Sequence, residues 1–539
     1  MRRIILIIML LLLAGLLFRV SAQTIDSEGV AYYKAGFPNA AKTLLLSEVG
    51  TSPSDARGYY YLGNIYFSEN KADSASYYYK KGLALDAENP YCRIGLAQLL
   101  LKDDPKQGAE QIDAMLKGKN KKNPDIIIAA GRAFLDNNMP EKALEYKELA
   151  EKIAGKYAPL HVFAGDIAFV KSNMGNACSE YEQAIYFDPD CKEAYIKYAE
   201  AYMNVNPRLS VEMLFKLKSL HPDFLPVEKE LAIVYYSLGE YREAIDAYEQ
   251  FIHSNCASVD DFTKYSMVLF LAKDYGKSLD LVNKALERDP DNVILKRLAM
   301  YDNYELKEYS KGLQAAQTFF DQSADSECVY LDHLYYGRLL SANKQSDKAL
   351  EHYYKALDME SDKPEIWKEL SEVHEKMSNY NEAIHAFNTY LKAIGKDAEV
   401  ADLFFLGRLY YYEGSALTDS LPENLAKKKT ALASADSIFS IVEEKVPDNY
   451  LGYFWRARAN SLLDPETTVG LAKPYYESAL AILEDKPDAG KSLLVECNSY
   501  LGYYYFVKNE FTESKVYWNK ILEIDPSNDT ARKALEGIQ

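Results

Sequence analysis

Apolar side chains recur along most of the chain at every third or fourth position, the spacing that gathers them on one face of a helix. Set into these stretches is a position that is always small. Followed from end to end it reads Gly29, Gly63, Gly95, Gly131, Gly165, Ala199, Ala232, Ser266, Ala299, Gly337, Ser371, Gly407, Ala457 and Gly502, with most steps close to 34 residues. A second small position falls between these, at Ala41, Ala75, Ala143, Ala177, Ala244, Ser278, Ala349, Ala383 and Ser514. Two antiparallel helices approach closely only where the facing side chains are small, and larger neighbours then fill the flanks. The pattern therefore predicts a series of helix pairs, with the first small position on the first helix and the second on its partner. Aromatics three positions after the first small residue (Tyr66, Phe134, Tyr202, Tyr235, Tyr410, Tyr505) are expected on the buried stripe. Pro189, Pro290, Pro447 and Pro526 are expected to close second helices, because proline cannot continue a helix. The end of the chain, residues 529–539, reads as a polar capping helix opened by Asp529.

The clearest single copy is Tyr59, Leu62, Gly63, Tyr66, Ala75 and Tyr79. Others are Ala164, Gly165, Ala177, Tyr181, Ala184, Pro189 and Trp367, Leu370, Ser371, Ala383, Phe387. These resemble the tetratricopeptide repeat (TPR), whose pattern is an aromatic, a Leu-Gly pair and a Tyr on one helix, then Ala and an aromatic on the next. The resemblance runs from about residue 25 to the C-terminus. It implies an all-α fold, a right-handed superhelical solenoid of antiparallel helix pairs, in which each pair depends on the next to bury its apolar face. The expected organisation is a signal peptide at 1–22, about eleven repeats over 23–399, and about three more over 400–539. Two steps are long. The first carries an insertion near 413–430, with Pro422 and Lys427-Lys428-Lys429, and the second a turn around Asp464 to Thr468. Tyr453-Phe454-Trp455-Arg456-Ala457-Arg458 is similar to a variant first helix of exported TPR proteins of Bacteroidetes.

The N-terminus modifies this picture by adding an address. Arg2 and Arg3 precede an apolar run over residues 4–18, and Val20-Ser21-Ala22 forms a small-residue cleavage site, so Gln23 is expected to begin an exported, periplasmic chain. That run is shorter than the roughly 20 residues a bilayer-spanning helix needs. Losing Arg2, Arg3 and Arg19 takes the formal charge from −18 to −21. Such a surplus of acid disfavours nucleic acid and anionic membrane as partners, because both require Lys and Arg to displace counterions. The six cysteines are scattered and read as small buried hydrophobes.

No catalytic pattern emerges. His374-Glu375 opens like a metalloprotease helix, but Ser378 stands where the second histidine would be. No phosphate loop and no nucleophile elbow are present in the sequence. The expectation is a protein without enzymatic activity, cofactor or metal.

The resemblance implies that first helices line a concave face and that the residue after the small position projects into it. Those residues include Asn64, Arg132, Asp166, Glu200, Arg338, Glu372, Arg408 and Arg458. Arginine grips a carboxylate with two parallel hydrogen bonds, so Asn64, Arg132, Arg338, Arg408 and Arg458 are candidate contacts for a peptide. Phe404, Tyr412 and Trp455 are candidate aromatic anchors. The alternative is a ladder of ion pairs, with Glu372 between Arg338 and Arg408. The functional expectation is a scaffold that binds a partner's peptide or helix in the concave groove. The alternative is a structural subunit of an envelope assembly that uses its convex face and the 413–430 insertion.

Overall fold

The computed structural model describes residues 26–538 apart from 53–55, 255, 419–420 and 487–489. The expected signal peptide lies outside the described residues. Among those residues there are 29 α-helices and no strand. The helices alternate as antiparallel pairs, and the fourteen small residues all fall within first helices, where all are buried.

What those small residues admit is an aromatic ring from the second helix. Tyr79, on the helix Ala72–Leu85, is fully buried between Gly63 of its own pair and Gly95 of the next. A Cβ at either glycine would fall inside the van der Waals radius of the ring, so both helices close onto it. The same sixteen-residue offset brings Tyr181 to Gly165, Tyr353 to Gly337 and Trp518 to Gly502. The fully buried aromatics are thus mainly on second helices. This corrects the expected burial of the aromatics three positions after the small residue. Phe134 is buried, but Tyr66, Tyr202, Tyr235, Tyr410 and Tyr505 are half-buried.

Serine at a crossing contributes a hydroxyl as well as a small volume. Ser278, Ser210 and Ser514 donate to the carbonyls of Ser266, Ala199 and Gly502 at 3.1, 2.8 and 2.7 Å, tying the two helices of a pair. Turns between paired helices use a left-handed residue, among them Asn70, Asn138 and Ser172 at φ near +60°.

The chain divides into two compact units between Asp302 and Asn303, inside the helix Val293–Glu305. The expected division at residue 400 falls inside the second unit, where Ala383, Ile384 and Phe387 share a core with Leu406 and Leu409.

In the first unit the N-terminal pair packs on more than its neighbour. Val30, Tyr32, Ala35 and Phe37 belong to the same apolar cluster as Phe224, Val227, Leu231 and Tyr248. The Tyr32 ring meets Phe224 edge-on at 5.4 Å, and Phe37 approaches Phe251 at 6.5 Å. Much of the intervening chain, from Ile94 to Ile167, builds a separate cluster. The unit therefore closes, with its first pair lying against helices that begin at residues 192 and 226.

In the second unit the two long steps have different causes. The first is helix extension: Val400–Ala416 and Pro422–Lys445 span 17 and 24 residues, so most of the 413–430 insertion is helical. The second is a turn organised by Asp464, whose carboxylate accepts from the amides of Thr468, Val469 and Gly470. Burial raises the Asp464 pKa, but these amides outweigh it and hold the group below its ordinary value. The last helix is Asp529–Gly537, and its N-cap is Asn528, which accepts from the Ala531 amide at 3.0 Å; Asp529 is the first helical residue and not the cap.

None of the six cysteines is in a disulfide. Cys92, Cys178, Cys328 and Cys497 are buried as expected, whereas Cys191 and Cys256 are half-buried.

Candidate functional site

The polar residues of the first helices named above follow a register. They occupy the position after the small residue and the position two before it, one helical turn apart on the same face. In the 303–539 unit this register sets out three arginines. Arg338 donates from Nε and Nη2 to Glu369, with Nε to Oε1 at 2.8 Å, and lies over the Tyr335 ring at 5.1 Å. Arg408 donates to Glu375 Oε1 at 2.8 Å. Arg458 holds Glu496 with two bonds of 2.7 and 2.6 Å and stacks on Phe454 at 4.6 Å. Each guanidinium is thus paired within the unit, and the ladder alternative describes the geometry with different rungs. Glu369 and Glu375, one turn to either side of Glu372, take Arg338 and Arg408. Glu372 itself is half-buried with its pKa raised, first by burial and then by Glu369. Replacing these arginines by glutamate would set like charges against Glu369, Glu375 and Glu496, a perturbation of the fold.

Of the aromatic candidates, Trp455 and Phe404 serve the core. Trp455 is buried and meets Phe404, Tyr411 and Tyr412 edge-on at 5.9, 5.2 and 6.0 Å. Tyr412 is half-buried and stacks on Tyr380 at 5.9 Å. A cavity of about 320 Å³ remains on this face, lined by Tyr304, Tyr309, Ser341, Glu369, Glu372 and Lys376 among others.

In the first unit the two remaining candidates are already engaged within the fold. Asn64 is buried and accepts from the Tyr79 hydroxyl at 2.7 Å. Arg132 bridges Asp166 at 2.8 Å and Glu193 at 3.4 Å, over the Phe163 ring at 5.6 Å. Asp166 also accepts from Lys197 at 2.9 Å and from the Tyr181 hydroxyl at 2.9 Å. Burial pushes the Asp166 carboxyl up, but Lys197 and Arg132 overcome it, and the pKa is lowered. Sequence reasoning missed Glu193, Lys197, Glu369, Glu375 and Glu496. The position two before the small residue was the available signal for Lys197 and Glu369.

His374 is buried, with Nε2 3.4 Å from the Tyr354 hydroxyl and no hydrogen-bond partner at Nδ1; burial lowers its pKa. Among the described residues no group of three or more His, Cys, Asp or Glu is placed to hold a metal. No helix of the described residues is long and apolar enough to cross a membrane.

Family models described as tetratricopeptide repeat match residues 27–90, 229–293 and 340–403. These three stretches are tetratricopeptide repeats by that match, and the fold is the all-α solenoid of such repeats. It is similar to TPR repeat-containing protein MJ1428 of Methanocaldococcus jannaschii, 24% identical over 375 residues. That match covers 67% of this chain and 60% of the relative's length. Among solved structures, it is similar to the C-terminal part of a TPR repeat-containing protein from Cytophaga hutchinsonii, 27% identical, covering 51% of this chain and 99% of that one, with a TM-score of 0.42. A tetratricopeptide repeat protein from Parabacteroides merdae is 16% identical, covering 45% of this chain and 95% of that one, with a TM-score of 0.33. Repeats of this family indicate a protein–protein interaction scaffold.

Proposed function

We propose that the chain is a non-enzymatic scaffold of the bacterial periplasm or envelope that holds a peptide or helix of a partner protein against the first-helix face of its 303–539 unit. The observation that carries this reading is the cavity beside Arg338. Its Arg338–Glu369 pair is fixed by two hydrogen bonds, so a partner meets side chains already held in place, at small ordering cost. In the first unit the corresponding face is partly covered by the N-terminal pair. Export is inferred from the basic, apolar and small-residue order of residues 2–22. The protein recovered from envelope fractions is expected to begin at Gln23, and N-terminal sequencing that finds Met1 would show an uncleaved anchor instead.

A second reading, as a structural subunit, is favoured by the extended helix Pro422–Lys445, whose start exposes Leu421 and Leu425 at 59% and 38%. Photo-crosslinking in intact cells separates the two. A crosslinker at Glu372 is expected to capture a partner that one at Tyr354 misses. Capture from Leu425 alone would move the contact to the extension, and no capture from either position would sink both readings.

A further inference from the structure

In the first unit two successive joints of this register carry a charged residue at both positions, and they differ in sign. Asp166, after the small residue of one pair, meets Lys197, two before the small residue of the next. At the following joint the same two positions are both acidic, Glu200 and Glu230. Glu230 is 8% exposed and, among the described residues, has no hydrogen-bond or ion-pair partner. Every nearby cation is held elsewhere: Lys197 by Asp166 at 2.9 Å, Lys229 by Asp261 at 2.8 Å, and Lys264 by Asp260 at 2.8 Å. Glu200 is exposed, and it faces the exposed turn at Gly36, where an added Cβ would lie 3.8 Å from its Oε1. The joint is therefore open to solvent on the Glu200 side and closed behind Glu230.

Elsewhere this molecule fills such a place with a guanidinium. Arg456 sits between Asp436 at 3.0 Å and Glu443 at 2.8 Å, over the Tyr475 ring at 4.2 Å. Arg132 sits between Asp166 and Glu193 in the same manner. The Glu200–Glu230 joint has the two carboxylates without the cation. We propose that this joint binds the guanidinium of an arginine side chain from a partner polypeptide, entering past Gly36 and lying between Glu200 and Glu230. The proposal rests on the reading of the chain as a peptide-binding scaffold, and adds a second, acid-lined contact in the other unit with stated chemistry for its occupant.

A pH signature follows. Burial, and next the charge of Glu200, raise the Glu230 carboxyl to about 8, against the opposing pull of Lys229 and Lys264; Asp261 adds to the rise, and the neighbouring Tyr248 stays neutral. Glu230 thus carries its proton at neutral pH and must release it when a guanidinium arrives. Affinity should therefore rise by about tenfold per pH unit between about pH 6 and about pH 8.

Short peptides selected from a display library on the full chain supply the probe, each made with arginine and with its neutral isostere citrulline. Fluorescence anisotropy is expected to show a loss of about tenfold or more on the citrulline change at pH 8, a loss absent in Glu200→Gln and in Glu230→Gln. Glu230→Gln should also flatten the pH profile. Its own stability relative to wild type improves as pH rises from about 4.3 toward about 8, since the wild-type native state holds this proton more tightly than the unfolded chain. Thermal melts would show it, so lost binding is not lost folding. Selected peptides that bind equally with citrulline, or that are displaced by calcium chloride alone, would overturn this assignment and leave the scaffold reading standing. Failure to select any peptide would count against both.

Discussion

Replacing Tyr79 by alanine is expected to destabilise the first unit by about 3–5 kcal/mol, as for other large aromatic truncations in a closed core. The ring is fully buried between Gly63 and Gly95 and has no room to be replaced by neighbours, because two helices are already in contact with it. The reverse change is instructive. Gly63→Ala adds one carbon on one side of a ring that Gly95 blocks on the other, so it should cost about 1–3 kcal/mol through overpacking. Tyr79→Phe keeps the wedge and deletes only the bond to Asn64, leaving a buried amide oxygen unpaired at about 1–3 kcal/mol. Urea unfolding of the three variants orders them. A Tyr79→Ala cost no larger than that of Tyr79→Phe would show that the ring does not set the helix spacing.

The second large effect is expected at Asp166. Its carboxylate is shared by Arg132, Lys197 and the Tyr181 hydroxyl, and its side chain is 9% exposed. Asp166→Ala leaves two cations facing each other and a buried hydroxyl without its acceptor, at about 3–5 kcal/mol. The folded pKa of Asp166 lies below its ordinary value. The wild type therefore holds this stabilisation above the unfolded pKa, about 3.9, and loses it as pH falls through the folded one. Urea midpoints for wild type and Asp166→Ala should accordingly differ at neutral pH and converge in acid. A constant gap across that range would remove the charge from the explanation.

The repeat was legible because its signal is steric and local. Each small residue from Gly29 to Gly502 had to be small wherever the neighbouring pairs lay, and all fourteen fall, buried, on first helices. The arginines were legible as a row, but their partners were not. Glu369, Glu372 and Glu375 all sit one turn apart on one helix, and which of them meets Arg338 or Arg408 depends on the rotation between successive pairs. Trp455 stood two positions before a small residue, in the same register, yet its neighbours Phe404, Tyr411 and Tyr412 enclose it. The insertion near 413–430 contained proline and lysines that suggested a loop. Pro422 instead occupies the first helical turn, where its missing amide hydrogen costs nothing.

The packing of Tyr32 and Phe37 on Phe224 and Phe251 gives the first unit a different folding problem from an open array. In an open array every contact is to the adjacent repeat, so the chain can order itself progressively as it emerges. Here the first pair of the unit must wait for residues 192 and 214 positions later, Phe224 for Tyr32 and Phe251 for Phe37, before its apolar surface is covered. Closing that loop adds a non-local step, slow in proportion to its contact order. Until it is made, Tyr32 and Phe37 are exposed to whatever chaperone or neighbouring chain arrives first. Once made, it joins the first pair and the later helices into one cooperative block, so that deleting the opening repeat would loosen the distant end of the unit as well as the near one.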